Sequence, residues 1–434
     1  MTAAERLVAW AWSLRLGDVP AAARQAATRH LLDGYACAVA AVRHTAALPA
    51  VTVAREAGGP PEATVIASAG GRIGAPAAAF ANGVLVHALD FDDTHAGGLV
   101  HATAPVLPVA LAVGEEVGAR GAEVLVAALA GYEAICRLGA AVPHGFHARG
   151  LHATSVCGTF AAAVVASRLY GLSEAAAVHS LGIAGSQAGG LLEFLNTGGS
   201  TKQLHPGFAA QAGITAARLA RAGATGPPGV LDGGYGLYAA LLGRPGLDPF
   251  PDLGERWEVT RITVKPYPAC QLVHAALDAA RLLPPGAAAG PLVVETHPDA
   301  APIVCGPGKE HPATPYQAKF SLPWSVAAMI IDGEVTAATY HRVDRPDVLD
   351  LAARIGTRVA GSGGVAADQP CRILDATGAV LAEVPRSSGG PDDPGRDGLV
   401  RRKALANGAS PELVSAFTDL ADLPDLAGVT GGSR

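Results

Sequence analysis

SVCGTFAAAVVASRLY, residues Ser155–Tyr170, carries a single charge, Arg168, and is apolar on nearly every face. A helix without a polar face belongs inside a bundle of other helices rather than on a surface. The pattern extends outward from there. Ala4–Leu16 follows Thr2, a residue type suited to an N-cap. Pro20 opens a helix that runs to about Val42 and carries Ala22, Ala26, His30 and Asp33. Ala75–Ala88, Pro105–Val117, Ala122–Leu138, Ser173–Ala188 and Gly207–Ala222 also read as helices, separated by glycine or proline. No fixed period of about 20–50 residues connects them, so the segment is one bundle and not a repeat array.

The character changes near residue 256. Glu258–Val264 (EVTRITV) alternates as a strand does. Ala275–Leu283 reads as a helix stopped by Pro284, Pro285 and Gly286, and Pro291–Thr296 (PLVVET) as a strand. Ser321–Ile331 and Pro346–Arg354 are further helices. Cys371–Leu374 and Ala379–Val384 flank a turn at Thr377-Gly378 and predict a hairpin. The chain is therefore expected to be mainly α. A large all-helical domain spans 1–259 and a smaller α+β unit spans 260–386. Residues 387–434 form a Gly/Pro/Asp linker and helices that return to the helical domain, making it discontinuous.

Composition narrows the function. Of 434 residues, 50% are hydrophobic, 16% charged and 5% aromatic, so alanine and glycine must fill much of the core. A net charge of -6 is not the basic footprint of a nucleic-acid binder. No apolar run reaches the ~18 residues of a membrane span; Ala104–Gly114 is interrupted by Pro105 and Pro108. The start, MTAAERLVAWAWSL, lacks a basic region leading to a cleavage site. No membrane or nucleic-acid partner is expected, and a cytoplasmic location is. The six cysteines are scattered with no C-x-x-C pair, which argues against a zinc ribbon or an iron–sulfur motif and for reduced core thiols.

Four polar clusters stand out. HALDFDDTHAGGLVH holds His87, Asp90, Asp92, Asp93, Thr94, His95 and His101; Asp90 and Thr94 would share a face if a helix continued there. Asp92 and Asp93 suit capping, and no H-x-x-x-H pair on a clear helix speaks for a metal. HGFHARGLHATS, with His144, His147, Arg149 and His152, precedes the apolar helix and could meet an anion at its N-terminus. NTGGSTKQLHPG, with Lys202 and His205, is not a nucleotide loop, because Gln203 follows the lysine; as a glycine loop before a helix it could hold a carboxylate. In TVKPYPACQ, Lys265 is followed by Pro266 and lies where the helical part meets the α+β part, a preferred place for a site. No G-x-S-x-G elbow or dinucleotide fingerprint occurs.

In this order the clusters resemble the MmgE/PrpD family of 2-methylcitrate dehydratase, cis-aconitate decarboxylase and iminodisuccinate epimerase. The resemblance includes LLDG (31–34), DFDDT (90–94), PVLPVALA (105–112), GYE (131–133), the G-x-H…GT segment ending at Thr159, KQLHPG (202–207), LDGGYG (231–236), KPYPACQ (265–271) and KFSLPWSVA…DG (319–333). It implies a helical domain with an α+β lid, a homodimer, no cofactor and no metal. It also implies a small di- or tricarboxylate as substrate. By motif, the family's site falls on Asp90, Thr94, His101, His152, Lys202 and Lys265. The sequence departs from the decarboxylase branch in having an extra residue between Thr94 and His101, Ala102 in place of proline, and Trp324 in place of an active-site tyrosine. The resemblance implies His101 as general acid/base and His152 as a second proton-transfer or carboxylate-binding group. Asp90 with Thr94 would orient His101, and Lys202, Lys265 and Trp324 would bind substrate. The expected activity is that of a metal-independent lyase moving a proton next to a carboxylate. Dehydration of a 2-methylcitrate-like acid comes first, epimerisation or decarboxylation next, and a non-catalytic organic-acid binder last.

Overall fold

The computed structural model describes residues 1–361, 364 and 366–431. It is mainly α-helical with small sheets only. The centre is built from α1 (Ala21–Arg43), α2 (Ala75–His87), α3 (Thr103–Val117), α4 (Gly121–Ala140), α5 (Ala153–Leu169) and α6 (Thr201–Arg221). α5, the apolar helix of the sequence, is buried along Ala153–Ser167 and touches α3, α4 and α6. Small residues let these helices approach closely. A Cβ on Gly83 of α2 would come within 2.8 Å of the Gly207 backbone of α6. One on Gly213 of α6 would come within 2.3 Å of Ala162 of α5. α9 (Arg396–Asn407), from the end of the chain, lies on α1, and its Val400 and Ala404 join the same core.

A two-stranded ladder, β1 (Thr94–His95) antiparallel to β2 (Ile262–Thr263), ties the Asp-rich segment to the chain that leaves the bundle. Beyond it lies a second core around a four-stranded sheet. β3 (Leu292–Thr296) pairs parallel with β4 (Ile355–Val359) and antiparallel with β5 (Cys371–Asp375). β5 pairs with β6 (Val380–Val384) through the hairpin, with an irregularity between Ile373 and Leu374. α7 (His274–Arg281) packs on β5 and β6, and α8 (Leu322–Asp332) packs on α7 and β4. A third, small cluster of Phe194, Tyr316 and Phe320 bridges the two parts.

Three local expectations are corrected. α6 starts at Thr201 and not at Gly207, so Lys202 and His205 stand on its first turns and not in a loop; Pro206 lies inside it, where only one i→i−4 bond is lost. Glu258–Val264 is not a full strand: Glu258–Arg261 is a 3-10 turn before β2. There the buried Glu258 carboxylate pairs with His95 at 2.8 Å and with Arg256 at 2.7 Å. α2 ends at His87, so Asp90 and Thr94 share no helical face. The sequence pattern missed β4, whose residues after Ile355 are exposed and show no alternation. Among the described residues no single helix is long and apolar enough to cross a membrane. The six cysteines are free.

Candidate active site

The turn after α2 places the first functional side chain. Asp90 has φ of +53°, a left-handed conformation that a non-glycine residue adopts only when its surroundings enforce it. The enforcement is visible. Three consecutive carbonyls of this turn each accept from a buried lysine. Lys319 Nζ donates to Leu89 O at 2.8 Å, Lys265 Nζ to Asp90 O at 3.0 Å and Lys403 Nζ to Phe91 O at 2.6 Å. The same lysines reach the segment around Lys265: Lys319 also donates to Pro268 O at 2.6 Å and Lys403 to Lys265 O at 3.1 Å. Lys403 is in turn paired with Asp33 at 2.8 Å. Lid, bundle and chain end are thus fastened to one turn.

Asp90 Oδ1 accepts from Lys265 at 2.7 Å and from Lys202 at 3.1 Å. Burial alone would raise its pKa, but these two ammonium groups outweigh burial and hold the carboxyl well below the usual range. Asp90 Oδ2 is buried without a partner.

His101 faces this pair. Its Nδ1 lies 2.8 Å from the carbonyl oxygen of Asp93, which can only accept, so Nδ1 carries the proton and Nε2 the lone pair. Nε2 stands 3.5 Å from Lys202 Nζ. Thr94 Oγ1 is 3.4 Å from Nδ1, and Thr154 Oγ1 accepts the backbone N–H at 3.0 Å. Burial, then Lys202 and Lys265, press the His101 pKa well below 6.5, so the ring rests neutral. His152, at the N-terminus of α5, is 3.0 Å from His205 through their Nδ1 atoms. Burial, then Lys202, lowers its pKa strongly as well. Burial, then a neighbouring histidine and Lys202, pushes His147 down to about 3 and His205 to about 4. The other acids of the cluster serve structure. Asp92 accepts from His87 Nδ1 at 2.9 Å, and Asp93 accepts the Thr103 N–H at 3.1 Å, capping α3.

A cavity of about 50 Å³ opens among these groups. Asp90, Thr94, His101, His152 and Lys202 line it, with Phe194, Phe320, Ile303 and Leu272 among its apolar residues. Six of the seven expected site residues are brought together, although Lys265 stands behind Asp90, fully buried and off the wall. Trp324, expected to bind substrate, is the seventh and does not line the cavity. It is buried in the lid core, its ring 5.5 Å from Tyr340 and its Nε1 3.3 Å from Val343 O. Position on α8 explains this: the residue points into the second core, away from the cavity. Sequence reasoning missed Lys319 and Lys403 as site supports. Lys319 lies within the quoted KFSLPW segment, whereas Lys403 sits in a charged helix that gives no local signal.

One nitrogen each of His87, His101 and His152 lies within 4.8 Å of the others, as do ligand atoms of His87, Asp90, Asp92 and His101. Either set could meet a cation. Lys202 and Lys265 already neutralise Asp90, however, and a cation at His101 Nε2 would contest the place of the Lys202 ammonium. A larger surface groove, about 690 Å³, runs beside α1 past Arg24, Arg29 and Asp397, with no such convergence of proton-transfer groups.

Cis-aconitate decarboxylase of Aspergillus terreus is 29% identical over 375 residues, covering 80% of this chain and 76% of that protein. The human cis-aconitate decarboxylase is 31% identical over 292 residues, 64% of this chain and 60% of its own length. A cis-aconitate decarboxylase-like protein of Aspergillus oryzae is 32% identical over 287 residues, 62% of this chain and 59% of its own. The MmgE/PrpD N-terminal domain matches residues 5–249 and the MmgE/PrpD C-terminal domain residues 267–411, and by these two matches, which cover most of its length, the chain belongs to the MmgE/PrpD family.

Proposed function

We propose that the chain is a lyase that moves a proton at a carbon next to a carboxylate of a small di- or tricarboxylic acid. The observation that carries this is the placement of His101: its Nδ1 donates to the Asp93 carbonyl at 2.8 Å, which leaves Nε2 as the acceptor facing the cavity, 3.5 Å from the Lys202 ammonium. A carboxylate bound at Lys202 brings its α-carbon to that lone pair. Removing the proton spreads charge onto the carboxylate oxygens, where Lys202 stabilises it. A charge-assisted hydrogen bond of this kind contributes about 1.5–3 kcal/mol, and a positioned base about 10²- to 10⁴-fold in rate. Lys265 holds Asp90 and so fixes Lys202; Thr94 and Asp93 O hold the His101 ring.

A resting base suits a reaction that starts by abstraction, which supports dehydration of a hydroxy acid of the 2-methylcitrate type. Decarboxylation is the second reading, favoured by the names of the relatives; it needs the same groups run toward carbon protonation. Trp324 bears on neither, since it does not reach the cavity. Epimerisation draws support from the two neutral rings, His101 and His152, with centres 6.0 Å apart. Incubation in D2O with 2-methylcitrate, cis-aconitate or iminodisuccinate, followed by NMR, separates these outcomes. Deuterium at the α-carbon is expected with at least one acid. Loss of water, loss of CO2 or inversion then names the reaction. Absence of exchange with all of them would leave a binding protein.

A further inference from the structure

The cavity is lined by two kinds of residue. Asp90, Thr94, His101, His152 and Lys202 are polar. Phe194 and Phe320 cluster with Leu192, Leu195 and Ile303 as one apolar surface, which begins beside Lys202, whose Nζ lies 5.2 Å from the centre of the Phe320 ring. Among the described residues that line it, Lys202 is the sole lysine or arginine, and Asp90 cancels part of its charge. The three buried lysines that brace the turn at Asp90 are spent on protein atoms. Lys265 is held by Asp90, Lys319 by two carbonyls, and Lys403 by two carbonyls and Asp33. Among the lid residues that line the cavity the polar side chain is Gln271, a neutral amide. The histidines on the wall are neutral at rest. A carboxylate taken from water into such a place without a partner is strongly disfavoured. An alkyl group gains from the same transfer.

We infer that the acid this site takes carries an apolar arm where a tricarboxylate has its third carboxylate, the arm lying against Phe194, Leu195, Ile303 and Phe320 while a carboxylate pairs with Lys202. The inference names the substrate class of the site proposed above and rests on that reading only where turnover is measured. At about 50 Å³ the cavity has room for one or two waters. Its apolar residues come from 192–195 on the bundle side and from Leu272, Ile303 and Phe320 of the lid, so an alkyl arm would lie between the two parts.

A matched pair of probes tests this. 2-Pentylidenesuccinate has the skeleton of cis-aconitate with one carboxylate replaced by a butyl chain, and both keep the CH2 beside a carboxylate. Calorimetric titration of the full chain is expected to show 2-pentylidenesuccinate bound at least about tenfold more tightly, the scale on which apolar pockets discriminate. Leu195→Arg should narrow or reverse that preference; Ile303→Arg does the same from the lid side if the first variant does not fold. Equal or tighter binding of cis-aconitate by the unaltered protein overturns the inference, as does a preference that neither folded variant changes. Deuterium exchange at the CH2 is read in the same samples. Preferential binding of the alkyl acid without exchange removes the proton-transfer reading and leaves this one standing. Exchange with cis-aconitate preferred does the reverse.

Discussion

Replacing Lys403 by methionine tests whether the chain's last helices support a site more than three hundred positions away in sequence. Methionine keeps the length and apolar stem, so the loss is chiefly electrostatic. Lys403 Nζ lies 2.8 Å from Asp33, 2.6 Å from Phe91 O and 3.1 Å from Lys265 O, and all of these are buried. Removing one partner of a buried ion pair destabilises by about 3–5 kcal/mol. Burial already pushes the Asp33 carboxyl upward despite Lys403, so removing the lysine favours the neutral acid further, and the lower end, about 3 kcal/mol, is expected. Adding Asp33→Leu removes the orphaned acid and should return roughly half or more of that loss. It cannot restore the donors to Phe91 O and Lys265 O. The turn that strains Asp90 to φ +53° then stays loose, and kcat should remain low in the double variant with KM less affected. Urea unfolding followed by circular dichroism gives the stabilities, and deuterium exchange gives the activity. A single variant within about 1 kcal/mol of the parent, or a double variant with full turnover, would refute the clamp.

Lys202 and Lys265 should behave differently despite sharing Asp90. Lys202→Met, on the cavity wall, is expected to lose exchange activity with a modest stability change, whereas Lys265→Met, fully buried, should also destabilise by about 3–5 kcal/mol; equal stabilities would contradict the placement. The pH dependence follows from His101. Its pKa is lowered, so the unprotonated base is present throughout pH 6.5–8 and is lost only as pH falls through the lowered value. The acid limb of kcat/KM should therefore lie well below 6.5, and a limb at or above 6.5 would show His101 is not the base. Gly83→Ala sets a methyl 2.8 Å from the Gly207 backbone and pushes α6, with Lys202, off α2. A destabilisation of about 1–3 kcal/mol with weakened substrate binding is expected, and a neutral result in both would show the helix crossing is slack.

Much of this architecture was legible because it is periodic. α5 declared itself by having no polar face, and the lid by the change of character near residue 256, the strand at 291–296 and the hairpin at Thr377-Gly378. Asp90, His101, His152 and Lys202 were legible as polar residues in a chain of low charge, and they do converge. The start of α6 was misplaced because Gly198, Gly199 and Pro206 read as a loop, while the glycines end before Thr201 and Pro206 lies late enough to be tolerated. Lys403 was illegible in principle: its partners at 33, 91 and 265 lie far off in sequence, and no local pattern encodes such a contact. Trp324 shows the converse, a motif position whose side chain turned into the lid core.

The central claim is that His101 Nε2 and Lys202 Nζ act together on one α-carbon. The direct measurement is the rate of α-deuterium incorporation from D2O by His101→Asn and Lys202→Met, set against the unaltered protein on whichever acid it exchanges. The account predicts a loss of at least about a hundredfold in each, with both variants folded and melting near the parent. Exchange at the parent rate in either variant would contradict it.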